Sequence, residues 1–268
     1  DINPGWTGSE TELNIERELS ISSFPSSSGI SSSTTWSGIP SSNDYVDGLM
    51  SNRKWGTGDP DSVSATNLLY YIYDNETLSY DYDSANGDDF GQSVSSDQEA
   101  AMVSAMAAFS DVSGLTFTET STKSEANLAW AMLNNTDSGA GILGWAYYPG
   151  QDSNTDYGGG AGSLVTVNQS YLTSSARTTP GSYYFITFSH ELGHAIGLKH
   201  PHDTSGSFGR FPGVTSSSSG GDNNLNATPW TVMTYNDSSA TNGLSPGTNG
   251  YGYLTNLGAF DIAATQYL

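Results

Sequence analysis

The chain has 268 residues, enough for one large domain or for two lobes around a cleft. Its formal net charge is −21, from 28 acidic and 7 basic residues, so nucleic-acid phosphates would repel it and nucleic-acid binding is excluded. Without cysteine, neither a disulfide nor a thiolate nucleophile or zinc ligand can form. No apolar run reaches the about 18 residues that cross a membrane, and no basic-then-apolar leader follows Asp1. We therefore expect a soluble, exported protein whose signal peptide was removed or omitted.

The first 42 residues differ in composition from the rest of the chain. From Ser22 to Ser42 the sequence consists mostly of Ser, Gly, Thr and Pro, a composition typical of linkers. We interpret residues 1–42 as an N-terminal tail that lies across the body of the protein, and the alternative is the remnant of a prosegment.

The next segment carries a helix signal, a strand signal and an acidic loop. A short helix is predicted within residues 43–55, because Asn43 or Asp44 can cap it and apolar residues recur along one face. Residues 67–74, rich in β-branched and aromatic types, predict a buried strand. Five Asp and Asn side chains follow between positions 81 and 89, where calcium could bind. The EF-hand spacing is not met, so a polar loop is the favoured interpretation.

The clearest helix signal spans residues 96–114. Ser96 and Glu99 form a capping box, apolar residues then recur at helical spacing, and Gly114 ends the pattern. Strands are predicted at residues 115–120, 127–133 and 163–172. This succession of helix and strands predicts a lobe in which helices pack on a mixed sheet.

The stretch HELGHAIGLKH, residues 190–200, carries the chemistry of the chain. On a helix, His190 and His194 lie one turn apart on the same face, with Glu191 beside them. Two neutral imidazoles in this arrangement can bind one zinc ion at about 2.0–2.1 Å each. The Glu191 carboxylate can then take a proton from a water on the metal, which is the reaction of a hydrolase.

The spacing continues beyond this pair of histidines. Gly197 is suited to ending the helix, because glycine enters the left-handed conformation without penalty, and His200 can then return as a third ligand. Three His ligands leave a fourth position open, which is typical of catalytic rather than structural zinc. A surface helix with two solvated histidines is the alternative for the short motif. Three of the chain's four histidines fit the longer HExxHxxGxxH pattern, however, so zinc binding is favoured.

The last part of the chain is expected to be mostly irregular. Residues 201–229 are dense in Gly, Ser, Asp and Asn, and long stretches of this kind in compact domains are usually functional or held by something. Residues 230–237 form an apolar island within this region. A final helix is predicted over residues 257–268, where apolar residues form a packing face.

Together, these motifs resemble the serralysins, the secreted bacterial branch of the metzincin zinc endopeptidases. Pro201, directly after the third histidine, is similar to the serralysin LxHP pattern. The sequence VMTY, Val232–Tyr235, looks like the Met-turn, in which Met233 lies beneath the zinc ligands. The sequence FDIAATQYL, Phe260–Leu268, resembles the closing helix of the family. The resemblance covers roughly residues 43–268 and leaves the first 42 residues unmatched.

The resemblance implies an α+β fold, the metzincin protease domain, within residues 43–268. Residues 43–200 would form an upper lobe with a twisted, mixed five-stranded sheet and two long helices. Residues 201–268 would form an irregular lower lobe that ends in a helix. The active-site cleft would lie between the two lobes.

The resemblance also assigns roles to five residues. His190, His194 and His200 are expected to bind the catalytic Zn²⁺, and Glu191 is expected to activate the zinc-bound water as general base. Tyr235 looks like the tyrosine that binds zinc at rest and swings away to stabilise the oxyanion, although core packing is the alternative for this residue taken alone. The function implied is that of a secreted, extracellular endopeptidase that hydrolyses internal peptide bonds.

Substrate and calcium sites are implied in the same way. Residues 142–150 resemble the edge strand along which metzincins bind an extended protein or peptide substrate by strand addition. The preceding loop, with Asp137, Gly139 and Gly141, is similar to a calcium loop of the related matrixins, so structural Ca²⁺ is an expected second cofactor. We expect a monomer that binds neither nucleic acid nor a membrane.

Two departures from the family pattern leave alternatives open. The chain stops at Leu268 without the calcium-binding nonapeptide repeats of the family. Many serralysins also have PGxYN where this chain has Pro201, His202 and Asp203. We expect His202 to be a solvated surface side chain, and the alternative is a contact of His202 with the cleft. The functional alternatives are a non-catalytic zinc-bearing adhesion or binding module, which would have no reason to keep Glu191, and a latent zymogen inhibited by residues 1–42.

Overall fold

The computed structural model describes residues 33–35, 40–56, 66–78, 89–138, 141–152, 162–237 and 252–268. Its strands are β1 (Ser33–Thr35), β2 (Arg53–Trp55), β3 (Thr66–Tyr73), β4 (Glu76–Thr77), β5 (Phe90–Gly91), β6 (Leu115–Glu119), β7 (Leu128–Leu133), β8 (Gly144–Ala146) and β9 (Ser163–Asn168). Its α-helices are α1 (Asp44–Asp47), α2 (Ser96–Ser110), α3 (Asn135–Ser138), α4 (Tyr183–Ile196) and α5 (Ala259–Tyr267). Single turns of 3₁₀ helix lie at Lys123–Glu125, Gln169–Tyr171, Ser175–Arg177 and Asp222–Asn224.

Five strands form one mixed sheet in the order β6, β3, β7, β9, β8. The first four strands run parallel to their neighbours, and β8 pairs antiparallel with β9 at the edge. Every residue of β7 and β9 is buried, as expected for parallel strands that are covered on both faces. The predicted α+β class, with a mixed five-stranded sheet, is confirmed. Strand β8 is only half-buried, and no other described strand pairs with its outer edge.

The core lies between this sheet and the two long helices, α2 and α4. Trp130 of β7, Phe109 of α2 and Phe188 of α4 are completely buried there. The rings of Trp130 and Phe188 lie 6.3 Å apart, centroid to centroid. Complete burial of one such side chain stabilises a fold by about 1.5–3 kcal/mol. Helix α4, which carries the histidine motif, is therefore fixed against the sheet by its apolar face.

The N-cap of helix α2 lies one residue before the position that the sequence predicts. Ser95, not Ser96, is the N-cap: its hydroxyl accepts from the backbone N–H of Gln98, and the Gln98 side chain accepts from the backbone N–H of Ser95. The helix also ends at Ser110, with Asp111 as its C-cap, before the predicted Gly114. Ser95 with Gln98 and Ser96 with Glu99 both fit the capping-box pattern, so the local sequence does not decide which serine is the N-cap.

The helix predicted within residues 43–55 is much shorter in the structure. Helix α1 starts at the predicted Asn43 cap but stops after one turn, because Gly48 lies directly against the backbone of Phe211. Strand β2 follows and pairs antiparallel with β1, which belongs to the N-terminal 42 residues. Strand β1 lies about 20 residues before β2 in the sequence, so the local spacing of apolar residues could not predict this pairing.

The described residues after α4 are largely irregular, as predicted. Residues 201–237 contain turns and one 3₁₀ turn, and α5 closes the chain with Gly258 as its N-cap. The strand predicted over residues 163–172 ends at Asn168, where the 3₁₀ turn Gln169–Tyr171 begins. Within the described ranges, no helix has the length and apolar character needed to cross a membrane.

Candidate metal centre

Helix α4 positions the first two candidate ligands. The Ser182 hydroxyl caps it by accepting from the backbone N–H of Phe185 at 3.3 Å. The indole Nε1–H of Trp55 donates to the carbonyl oxygen of Ala195 at 2.7 Å and ties the end of the helix to β2. Gly197 ends the helix with a φ of 122°, a conformation that favours glycine. The predicted helix end is therefore confirmed.

The structure brings the three predicted histidines together. His190 and His194 lie on α4 with their rings 4.9 Å apart, centroid to centroid. The chain turns after Gly197 and places Nε2 of His200 3.1 Å from Nε2 of His190 and 3.0 Å from Nε2 of His194. Three imidazole nitrogens therefore converge on one point, although the third ligand lies outside the helix.

The other ring nitrogen of each histidine, Nδ1, lies next to an oxygen atom that can only accept a hydrogen bond. Nδ1 of His190 lies 2.7 Å from the carbonyl oxygen of Val232, and Nδ1 of His194 lies 2.8 Å from that of Leu198. Nδ1 of His200 lies 2.9 Å from the carboxylate of Asp203. Since carbonyl and carboxylate oxygens accept, each Nδ1 carries the hydrogen. In the neutral form of each ring, Nε2 then carries a lone pair, and this lone pair faces the Nε2 atoms of the other two histidines.

Burial keeps two of these imidazoles neutral. Burial and, to a lesser degree, the nearby His200 together lower the pKa of His190 to about 3, against the opposing hydrogen bond to Val232. Burial also holds the pKa of His194 well below its ordinary value, with His200 and His190 acting in the same direction. Neutral imidazole is the form that binds a metal.

This donor set fits a zinc ion. Two nitrogens that each lie about 2.0–2.1 Å from one tetrahedral ion are about 3.3 Å apart, close to the separations observed here. Three converging lone pairs also repel one another unless a cation lies between them. Each Nδ1–H is held by a carbonyl or a carboxylate, the usual outer partners of metal-binding histidines. The residues therefore fit Zn²⁺ with a fourth position left for another ligand.

Glu191 lies beside the histidines in a tight, dry position. It is 5% exposed, and burial raises the pKa of its carboxyl well above the ordinary value. The β8 residue Gly144 is packed directly against it: a Cβ built on Gly144 would lie 2.8 Å from Cγ and 2.9 Å from Oε1 of Glu191. The edge strand thus leaves just enough room for this carboxylate.

Tyr235 lies across the open side of the three rings. Its ring centroid is 4.7 Å from that of His200 and 5.9 Å from that of His190, where the planes are nearly parallel. The side chain is nevertheless 61% exposed, which leaves it room to move. Burial of part of the ring raises the pKa of Tyr235 to about 12, and the charges of Glu191 and Asp203 add to this effect. The phenol therefore keeps its proton at neutral pH and can donate it in a hydrogen bond.

The predicted Met-turn lies beneath the histidines. Met233 is completely buried, and a Cβ built on Gly193 of α4 would lie 2.5 Å from its sulfur. The turn is tied to α5 by Asp261, whose carboxylate accepts from the backbone N–H groups of Val232 at 2.7 Å and Gly258 at 2.9 Å. The Val232 carbonyl in turn accepts from His190, so Asp261 supports that ligand through one peptide unit.

Three side chains near the site were not predicted from the sequence. Asp203 binds both the backbone N–H and Nδ1 of His200, and its position three residues after that histidine is the only local signal. His202, expected as a solvated surface side chain, is instead half-buried and stacks on His200 at 5.0 Å. The ring of Tyr148 packs edge-on against His194 at 5.6 Å.

The predicted substrate strand lies at the edge of the site, and the predicted calcium sites are only partly described. Strand β8 falls within the predicted range 142–150 and pairs with β9 through one edge. Asp137 lies in α3, but Gly139 falls outside the described residues. Of the acidic loop at 81–89, only Asp89 is described, and it is buried.

The sequence matches the family model Peptidase_M10, described as matrixin, over residues 72–209, just over half of the chain. It is 32% identical over 106 residues to metallopeptidase AprA of Pseudomonas marginalis, which covers 40% of this chain and 21% of that protein. It is 37% identical over 98 residues to serralysin C of Dickeya chrysanthemi, which covers 35% of this chain and 18% of that protein. The matched segment thus spans about a fifth of the length of each relative.

Two solved structures of myroilysin also align with the chain. One is 13% identical, with a TM-score of 0.39, and covers 75% of this chain and 91% of that one. The other is 14% identical, with a TM-score of 0.40, and covers 89% of this chain and 99% of that one. The family match, the two curated relatives and the HExxHxxGxxH sequence together show which family the chain belongs to. The chain belongs to the matrixin family, Peptidase_M10, as a serralysin-like metzincin.

Proposed function

We propose that this protein is a secreted zinc-dependent endopeptidase that hydrolyses internal peptide bonds of proteins. The observation that carries the proposal is the convergence of three Nε2 atoms at 3.0–3.1 Å beside a buried carboxylate. Family membership supports the same reaction class, and the name metallopeptidase AprA states that class for one relative. A structural zinc site would have no use for Glu191 or for an open fourth position.

His190, His194 and His200 would hold the zinc ion through Nε2. When bound, zinc supplies a Lewis acid that polarises a carbonyl group and makes water more acidic. The chain's own contribution is to keep the rings neutral and correctly turned. Burial does the first, and the Nδ1 hydrogen bonds to Val232 and Leu198 do the second for the two helical ligands.

Glu191 acts as the general base in this proposal. It takes a proton from the water that attacks the scissile carbonyl, and it then gives that proton to the leaving amine. The raised pKa of its buried carboxyl favours proton uptake. The backbone of Gly144 lies close to the Glu191 side chain and limits the room for the carboxylate on the side of strand β8.

Tyr235 would be a further ligand of a bound zinc ion at rest, and its phenol would donate a hydrogen bond to the oxyanion during attack. A pKa of about 12 keeps that hydrogen in place at neutral pH. The exposure of the side chain allows it to change position between the two roles. A donor aimed at developing charge stabilises the transition state more than the substrate, and this difference is what accelerates the reaction.

The substrate is an extended stretch of protein chain that adds to the sheet beside β8. The outer edge of β8 pairs with no described strand, and Gly144 in this strand contacts Glu191. A peptide hydrogen-bonded to that edge would present its carbonyl groups next to the base. Residues 142–150 then form the substrate-binding segment.

The remaining assignments follow from the same proposal. Residues 43–200 form the upper lobe and residues 201–268 the lower lobe of one catalytic domain, and residues 1–42 form a tail. Secretion agrees with the relation to AprA and serralysin C, and the protein acts as a monomer. Structural calcium remains a prediction for the loop around Asp137, whereas a polar loop remains the prediction for residues 81–89.

Hydrolysis of azocasein before and after zinc removal tests this proposal. The purified chain is assayed as isolated, after dialysis against 1,10-phenanthroline, and after addition of one equivalent of Zn²⁺. We expect activity to disappear on zinc removal and to return with the added metal. Activity that survives complete zinc removal would contradict the proposal, as would a zinc-loaded, folded protein without any peptidase activity.

A further inference from the structure

Lys199 is a completely buried lysine next to the third candidate ligand. Its ammonium group donates to the carbonyl oxygens of Phe208 and Gly209 at 2.9 Å and contacts those of Asp203 and Ser205 at 3.3 Å. No carboxylate takes part in these four contacts. A ring of backbone carbonyls around one positive charge is otherwise how a protein loop holds a calcium ion.

This arrangement shapes the loop of residues 203–209. The segment has no regular secondary structure, and most of its side chains are exposed. Its backbone nevertheless points four carbonyl oxygens inward to the same nitrogen atom. An ammonium with three hydrogens can satisfy these acceptors, whereas an uncharged apolar side chain would leave them buried without a donor.

The same loop carries the carboxylate that orients His200. Asp203, whose carbonyl oxygen is one of the four around Lys199, accepts from Nδ1 of His200 at 2.9 Å and from its backbone N–H at 3.2 Å. His190 and His194 are positioned by a helix, whereas Nδ1 of His200 is held by the Asp203 side chain of this loop.

We propose that Lys199 and Asp203 are positioning residues for the third zinc ligand. The Lys199 ammonium serves as an internal cation that sets the shape of residues 203–209, and this shape presses the Asp203 carboxylate against Nδ1 of His200. The hydrogen bond fixes the tautomer in which Nε2 of His200 is free to bind zinc. This inference rests on the proposed zinc site, and it extends that site to a second layer of residues.

Zinc affinity of the full chain tests the pair. Lys199→Met, Asp203→Asn and the double variant are titrated with Zn²⁺ against a chromophoric chelator of known affinity. Loss of an outer partner of a metal-binding histidine weakens zinc binding by about 10- to 100-fold. We expect each single variant to lose about tenfold, and the double variant to lose little more, because both changes break the same connection. Lys199→Gln, whose amide still donates two hydrogen bonds, replaces Lys199→Met if the latter does not fold.

A second readout separates positioning from general stability. The ¹⁵N signals of the His200 ring in the zinc-free protein report which nitrogen carries the hydrogen. We expect a single tautomer, protonated at Nδ1, in the wild type and a mixture in the Lys199 and Asp203 variants. Lys54→Met is the matched control, because Lys54 is also buried but donates to the carbonyl oxygen of Leu268. It should lower stability and leave both readouts unchanged.

The possible results are distinguishable. Wild-type zinc affinity and an unchanged His200 tautomer in the Lys199 variants would overturn the positioning role and leave the proposed function intact. A wild-type chain that binds no zinc at all would overturn the proposed function and this inference together. Equal losses in Lys54→Met would likewise overturn the inference, because any buried lysine would then have the same effect.

Discussion

Gly144 and Glu191 are in contact across the site, and the contact leaves no space for a larger residue at position 144. A Cβ there would lie 2.9 Å from Oε1 of Glu191 and 2.6 Å from the carbonyl oxygen of Thr166. Both distances are below those that carbon atoms tolerate, so a methyl group must displace either the edge strand or the carboxylate. The backbone of β8 and the side chain of Glu191, the proposed base, therefore restrict each other's position.

Gly144→Ala should lower kcat and leave zinc binding intact. The methyl group pushes the Glu191 carboxylate away from its working position, and a displacement of this kind costs about 10- to 100-fold in rate. The three atoms nearest to a Cβ at position 144 belong to Thr166 and Glu191 and not to a histidine, so zinc content should stay at one equivalent. Peptide hydrolysis and metal analysis on the same preparation check both statements.

Val103→Ala is the control for this variant, because the Val103 side chain is 47% exposed on helix α2 and belongs to neither strand β8 nor helix α4. It should keep wild-type activity. Full activity in Gly144→Ala would mean that Glu191 does not depend on the edge strand.

Tyr235→Phe should reduce kcat by about 100-fold with little change in KM. The ring contacts with His190 and His200 remain, but the phenol hydrogen proposed to stabilise the oxyanion is lost. Removal of one oxyanion donor typically costs about 10²–10³ in kcat. Steady-state kinetics on a fluorogenic peptide measure both constants.

Tyr45→Phe removes a phenol hydroxyl away from the cleft and serves as the comparison, since the Tyr45 ring stacks on Phe260 at 5.2 Å. It should behave as wild type. A raised KM at unchanged kcat in Tyr235→Phe would assign Tyr235 to substrate binding instead.

Asp261→Asn should change how stability depends on pH. Burial raises the pKa of Asp261 to about 7, against the opposing hydrogen bonds from Thr231, Val232 and Gly258. Its unfolded pKa is about 3.9, so between about pH 4 and 7 the folded protein holds a proton that the unfolded chain has lost. The free energy of unfolding contributed by Asp261 is thus fully present below about pH 4, falls as pH rises through 7, and becomes constant above about pH 8.

Urea unfolding of wild type and Asp261→Asn at pH 5, 6, 7 and 8 measures this effect. The wild type should lose about 2 kcal/mol relative to the variant between pH 5 and 7, and only about 0.4 kcal/mol more by pH 8. A stability difference that stays constant from pH 5 to 8 would mean that Asp261 is already ionised throughout this range.

The parts of the fold that follow from local patterns were predictable. Strand β7 was found because every residue from Leu128 to Leu133 is apolar, which a buried parallel strand requires. Helix α4 and its end at Gly197 follow from apolar spacing and from the glycine signal. The convergence of His190, His194 and His200 follows because helical spacing and one turn determine it.

The parts that depend on distant neighbours were not predictable. Ser95 and Ser96 both precede a partner three residues on, so packing of α2 decides the cap. Strand β2 forms because a segment of the N-terminal region lies beside it, which no local pattern reveals. Lys199 lies between Leu198 and His200 in sequence without a local signal for burial of its charge, and only the folded loop makes it a buried cation.

The proposed chemistry depends on Glu191 as base and on the histidines as metal ligands. Glu191→Gln separates these roles, because it removes the ionisable group without changing the size of a side chain packed between α4 and Gly144. Azocasein hydrolysis by wild type and Glu191→Gln, each loaded with one equivalent of zinc, is the comparison to make. The account predicts equal zinc content and a loss of at least about 10²-fold in rate for the variant. A variant that binds zinc and retains the wild-type rate would contradict it.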